Sequence, residues 1–166
     1  MNSGLKNIYI VRHAKSSWSH IGLHDFDRPL NKRGLRSAPF MAKKLFDFGA
    51  HLNLILSSPS KRTRATAEYF SEQFGCKMEP IKNLYHGDVE DIMEALFSLG
   101  PEINSVGIIA HNPGITYFAN EISDQTIDNV PTCGVLVCSV NSHTSWQDLL
   151  IQDIKLKQFI NPKMYF

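Results

Sequence analysis

Strand-like and helix-like stretches alternate along almost the whole chain, and that order leaves few folds open. Lys6 to Val11 reads as a first strand, because a short β-branched apolar run marks a buried one. From Asn31 to Phe48 the apolar residues Leu35, Ala38, Met41, Ala42, Leu45 and Phe46 recur at helical spacing, with Asn31 as N-cap and Gly49 as stop. A second strand is expected over Leu52 to Leu56. A second helix follows over Pro59 to Phe74, with Ser58 as its N-cap and Pro59 at its first position. A short strand then spans Lys77 to Ile81, a helix Asp88 to Leu99, a strand Ser105 to Ala110 and a short helix Gly114 to Ile122. Val135 to Val140 and Trp146 to Ile154 are expected to pair as a β-hairpin at a sheet edge, turning through Asn141 to Ser145. Alternation of this kind calls for a parallel sheet with helices on both faces. The expected fold class is α/β: a three-layer α/β/α sandwich, its central sheet mostly parallel with an antiparallel edge.

Length and charge narrow the function. The 166 residues suit one domain with one substantial core, and no interdomain linker is visible. Net charge is +1, which gives no bulk attraction for nucleic acid or an acidic membrane surface. Any preference for anions must therefore come from a few placed arginines. Cys76, Cys133 and Cys138 are odd in number and lack metal-ligand spacing, so they read as free thiols in a reducing compartment. No secretory segment or transmembrane span is visible, and the cytoplasm is the default location.

Three strand ends carry reactive side chains. Ile8-Tyr9-Ile10-Val11 is followed directly by Arg12-His13. Leu54-Ile55-Leu56 runs into Ser57-Ser58-Pro59-Ser60-Lys61-Arg62, which places Arg62 on the first turn of the next helix. A helix N-terminus there adds free N–H groups and a positive dipole end, both suited to an anion. Val106-Gly107-Ile108-Ile109-Ala110 ends in His111, and Pro113-Gly114 break the pattern before the next helix. In open α/β sheets the site lies at the C-terminal ends of the strands. Two arginines and two histidines converging there could hold a phosphoryl group and attack it.

This constellation resembles the histidine phosphatase superfamily, the phosphoglycerate-mutase-like enzymes. Their pattern is an Arg-His pair after the first strand, a second arginine in a Ser-Pro…Arg-Ala-like segment and a second histidine after a later strand. Within it the chain is most similar to the small single-domain SixA-type phosphohistidine phosphatases. That closer similarity rests on Asp27-Arg28-Pro29-Leu30-Asn31-Lys32-Arg33-Gly34, on Leu84-Tyr85-His86-Gly87-Asp88 and on the short length. It runs from Tyr9 to about Pro162 and implies one histidine-phosphatase domain over 1–166. The chain departs from better-known branches in three places. Ala14 stands where the first motif commonly has glycine, which a methyl group tolerates if φ stays below zero. Asn112 follows His111 where the acid-phosphatase branch often has aspartate, and an amide cannot supply that proton. No counterpart of the mutase glutamate is visible.

The resemblance implies a metal-independent phosphatase that needs no cofactor. His13 is the expected nucleophile, forming a phosphohistidine enzyme that water hydrolyses. Arg12 and Arg62 are expected to hold the non-bridging oxygens through paired hydrogen bonds, and His111, as imidazolium, to stabilise the transferring group. Ser57 is placed either to donate to the phosphate or to end its strand. Arg28 is placed either to clamp the Ser16 to Leu30 loop through Asp25 or Asp27, or to reach the substrate. His86 or Asp88 is placed either as proton donor or as helix cap. His20, His24 and His51 lack ligand spacing, and no metal site is expected. The substrate is a phosphorylated protein, phosphohistidine foremost, or a small phosphorylated metabolite. A phosphomonoesterase of the same superfamily and a non-catalytic phosphate-binding module are the alternatives. The chain is expected to be a monomer or a weak homo-oligomer.

Overall fold

The computed structural model describes residues 5–140 and 143–166. Six strands form one sheet: β1 (Lys6–Arg12), β2 (Leu54–Ser57), β3 (Lys77–Pro80), β4 (Ser105–Ala110), β5 (Val135–Val140) and β6 (Ile154–Ile160). Their order is β3-β2-β4-β1-β5-β6. β3, β2, β4 and β1 run parallel, while β5 lies antiparallel to β1 and β6 antiparallel to β5. This is the mostly parallel sheet with an antiparallel edge that the alternation predicts.

Side-chain alternation along the strands builds two apolar layers. Tyr9 and Val11 of β1 face one side, where α1 (Lys32–Asp47) and α2 (Lys61–Phe74) pack through Met41, Leu45 and Phe70. Ile8 and Ile10 face the other, where α3 (Val89–Phe97) and α4 (Gly114–Ile122) pack through Ile92, Leu96 and Phe118. Both sides of β1 and β4 are thus buried, which is why each reads as a nearly continuous apolar run.

The crossovers position the site. The chain leaves β1 through α1 on one face and leaves the neighbouring β4 through α4 on the other. Neighbouring parallel strands whose connections diverge open a crevice at their C-terminal ends. Arg12 pairs with Ala110 across this point, and His13 N–H donates to the Ala110 carbonyl at 3.1 Å.

The structure departs from the sequence reading in two elements. α2 starts at Lys61 with Ser60 as its N-cap, two residues later than expected. Ser58 is not a cap: its hydroxyl lies 2.8 Å from His111 Nε2, and its carbonyl accepts from the Thr63 hydroxyl at 2.8 Å. The hairpin partner of β5 is Ile154–Ile160 rather than Trp146 to Ile154. Trp146 and Leu149 are buried in the α3/α4 layer, and Trp146 Nε1–H donates to the Ile103 carbonyl at 2.8 Å. Apolar content there fills a core from a loop, whereas the exposed lysines of Ile154-Lys155-Leu156-Lys157 mark the true edge strand. Of the expected turn, Asn141 and Ser142 lie outside the described residues.

Candidate active site

His13 is held immediately beyond β1 with 7% of its surface exposed. Its Nδ1–H donates to the Ala14 carbonyl at 2.8 Å, which leaves the Nε2 lone pair facing the crevice. Burial, with Arg62 and Arg12 nearby, pushes its pKa down to about 3, so the ring is neutral. The Ala14 N–H donates to Thr66 Oγ1 at 3.0 Å, and that hydroxyl in turn donates to the Arg62 carbonyl at 2.8 Å. Thr66 therefore ties the backbone after His13 to the helix that carries Arg62. Ala14 does not take positive φ, so its methyl is accommodated.

His111 sits beyond β4, its ring centroid 5.1 Å from that of His13. Arg62 reaches its Nδ1 at 3.4 Å, so Nε2–H is the donor to Ser58 Oγ. Burial, the adjacent His13 and Arg62 push its pKa down to about 2. The ring is therefore held neutral here rather than as the imidazolium expected from sequence, because the cost of burial outweighs the opposing pull of the Asp25 carboxylate.

The arginines differ in how their donors are engaged. Arg12 Nη1 donates to the Val130 carbonyl at 2.9 Å, while its Nε is buried and has no acceptor. Burial and the positive Arg62 lower its pKa. Arg62 Nε–H points to His13 Nε2 at 3.4 Å. The rest of its fork meets Asp25: Nη1 to the backbone carbonyl at 2.6 Å and Nη2 to Oδ2 at 3.0 Å. Arg28 clamps the 16–30 loop, donating to Asp25 Oδ1 at 2.9 Å, to the Ser17 carbonyl at 3.0 Å and to Ser16 Oγ at 2.5 Å. Its guanidinium also stacks 3.2 Å from the centroid of the exposed Trp18.

The remaining candidates separate clearly. Ser57 is fully buried and its hydroxyl donates to the Ser58 carbonyl at 2.8 Å, which corrects its assignment to phosphate binding: it closes the strand end. Asp88 caps α3, accepting from Asp91 N–H at 3.2 Å while Asp91 Oδ2 accepts from Asp88 N–H at 2.9 Å. This reciprocal box, outside the crevice, corrects its candidacy as proton donor. His86 does line the crevice, 6.3 Å from His111 between ring centroids, and adopts a left-handed φ of 57°. Asn112 precedes α4 and holds its first turn, its Oδ1 accepting from Thr116 N–H at 3.2 Å. His20, His24 and His51 are exposed.

Arg12, His13, Arg28, Arg62, His86 and His111 surround a cavity of about 250 Å³. A larger hollow of about 530 Å³ lies near Lys6, His51 and Ser105 at the opposite end of the sheet. It gathers no pair of arginines and no pair of histidines. The sequence reading gave the Tyr85 hydroxyl no role and gave Asp25 only as a partner for Arg28. Tyr85 O–H donates to Asp25 Oδ2 at 2.7 Å across sixty positions of sequence, and no local pattern announces that contact. Asp25-x-x-Arg28 was the legible half.

Comparison with known proteins agrees with this geometry. Residues 8–104 match the family model for the histidine phosphatase superfamily (branch 1). An uncharacterized chloroplastic protein of Arabidopsis thaliana is 30% identical over 154 residues, covering 86% of this chain and 70% of the relative. Phosphoserine phosphatase 1 of Hydrogenobacter thermophilus is 35% identical over 97 residues, 52% of this chain and 45% of that protein. The crystal structure of a putative phosphohistidine phosphatase SixA from Agrobacterium tumefaciens superimposes with a TM-score of 0.80 at 28% identity, covering 95% of this chain and 98% of that one. The fold is therefore phosphoglycerate-mutase-like, in its compact SixA-type form.

Proposed function

The chain belongs to the histidine phosphatase superfamily (branch 1), and from that premise we propose that it is a metal-independent phosphohistidine phosphatase working through a phosphoryl-enzyme on His13. One observation carries the reading most: a neutral histidine with Nε2 unprotonated lines the same cavity as Arg12 and the buried Arg62. His13 Nε2 attacks phosphorus, the bond to the leaving group breaks, and water later attacks the phosphohistidine to release phosphate. Arg12 and Arg62 hold the non-bridging oxygens. His111, neutral before binding, gains a proton when the phosphoryl dianion supplies the missing counter-charge. His86, which lines the crevice, protonates the departing group on this reading.

The leaving group of a phosphohistidine is a ring nitrogen that needs one proton and little other help, which suits a site whose lining carboxyl, Asp25, is held in its charged form. The likeness to the Agrobacterium SixA structure supports the same substrate class. A small-molecule phosphomonoesterase is the second reading, favoured by the similarity to a phosphoserine phosphatase. On either reading we take the whole chain as one domain, acting in the cytoplasm as a monomer or weak homo-oligomer. No helix among the described residues is long and apolar enough to cross a membrane.

The test is mass spectrometry after brief, acid-free quenching with phosphoramidate in the presence of EDTA. A phosphoryl adduct on His13, absent in His13→Ala, is the expected result. Phosphate release by a folded His13→Ala variant at a rate near that of the native chain would overturn the mechanism. Faster turnover of phosphoserine than of phosphohistidine would select the second reading.

A further inference from the structure

We propose that Asp25 is an internal anion paired with Arg62 that the phosphoryl group must displace, which makes it a selectivity residue of this site. The proposal rests on the phosphoryl-pocket reading above and adds to it how the pocket admits its ligand.

The geometry of Arg62 is the starting point. A guanidinium offers five N–H donors in a planar fork. Asp25 takes one through its backbone carbonyl at 2.6 Å and another through Oδ2 at 3.0 Å. Nε–H is directed at His13 Nε2, 3.4 Å away. That nitrogen's lone pair is the one that must meet phosphorus. Arg62 thus aims a donor at the nucleophile, and Asp25 holds Arg62 there. On this proposal, attack on phosphorus waits for that arrangement to shift.

The carboxylate is bound much as an oxyanion substrate would be. Oδ2 accepts from Arg62 and, at 2.7 Å, from Tyr85 O–H, while Oδ1 accepts from Arg28 at 2.9 Å. These partners hold its pKa well below the usual carboxylate range, so it stays charged. Yet the Asp25 side chain is 40% exposed, whereas that of Arg62 is only 6% exposed. The carboxylate is at the wet end of the pair and has water to move into. Asp25 also lies on the same loop as Trp18, which stacks on Arg28. Displacing the carboxylate from Arg28 and Arg62 must therefore disturb an exposed tryptophan, which gives the motion its own reporter.

A competing internal anion has a defined consequence. A ligand gains only the difference between its own contacts and those of Asp25, so weakly bound anions are kept out while a phosphoryl dianion enters. The probe is orthovanadate, titrated by calorimetry and by tryptophan fluorescence into the native chain, Asp25→Asn and Tyr85→Phe. Asp25→Asn keeps the shape and removes the charge. It should bind vanadate about three- to tenfold more tightly than the native chain, the scale of a charge-assisted pair at a partly wet site. Tyr85→Phe, which loosens the carboxylate without removing it, should give a smaller gain of the same sign. Vanadate should change the fluorescence of the native chain, and the change should vanish in Trp18→Phe. Equal or weaker binding by Asp25→Asn would overturn the proposal while leaving the phosphoryl pocket intact. Binding by the native chain without a Trp18 signal would do the same. No binding by either chain would overturn both.

Discussion

Lowering the pH from 7 to 5 should destabilise this protein by about 4 kcal/mol, and the two active-site histidines should account for it. Burial pushes His13 down to about 3 and His111 down to about 2, against an ordinary value near 6.5 in the unfolded chain. Below about pH 6.5 the unfolded chain takes up protons that the native pocket refuses. Stability is therefore complete above the unfolded value and is lost as pH falls toward the folded values. Across the window from 7 to 5 each histidine contributes a loss of about 2 kcal/mol. Asp25 acts in the same direction, since its pKa is depressed, but its contribution is lost only below the unfolded carboxylate value near 4, outside this window. A loss of about 4 kcal/mol is a large share of the 5–15 kcal/mol typical of a folded domain. Urea unfolding at both pH values in phosphate-free buffer measures it, with the slope m checked for constancy. His111→Gln, which keeps a polar group beside Ser58, should cut the loss to about half. An undiminished loss in that variant, or equal stability of the native chain at both pH values, would refute the account of two buried neutral imidazoles.

Two further outcomes follow from the packing. A methyl group on Gly34 would run into the Lys15 carbonyl, two residues beyond His13. Gly34→Ala should cost about 1–3 kcal/mol and reduce turnover by shifting the His13 turn, and an unchanged urea midpoint would contradict that contact. Asp88→Ala removes the α3 cap and should lower the thermal midpoint by about 2–4 °C without changing the rate on phosphohistidine. A large loss of rate at unchanged stability would return Asp88 to the role of proton donor.

What was legible in the chain follows from what local sequence can encode. The strand/helix alternation and the Asn31 and Asp88 caps are written in neighbours a few residues apart. Arg12, His13, Arg62 and His111 were legible for a related reason: each lies at or just past the end of an apolar strand, where α/β sheets place their sites. The errors occur where local signals compete. Ser58 precedes a proline in a cap-like setting, yet His111 takes its hydroxyl and the helix starts later. Trp146 to Ile154 has apolar residues enough for a strand, yet Trp146 leaves the sheet for the core beneath it.

Periodicity and strand ends are local properties, and from them follow the layers, the parallel sheet and the four side chains at its mouth. How those side chains are charged and what faces them depends on packing between distant segments. The strand order brings β1 beside β4, and so His13 beside His111, and their mutual burial makes both rings neutral. The same packing turns Ser57 inward, assigns Asp88 to a helix end and leaves His86 on the crevice wall. It also sets Asp25 and Tyr85 against Arg62. Such contacts span tens of residues, and no rule of spacing reaches across them. They exist because the sheet fixes where each loop begins and ends, and the buried donors at its mouth must then find acceptors.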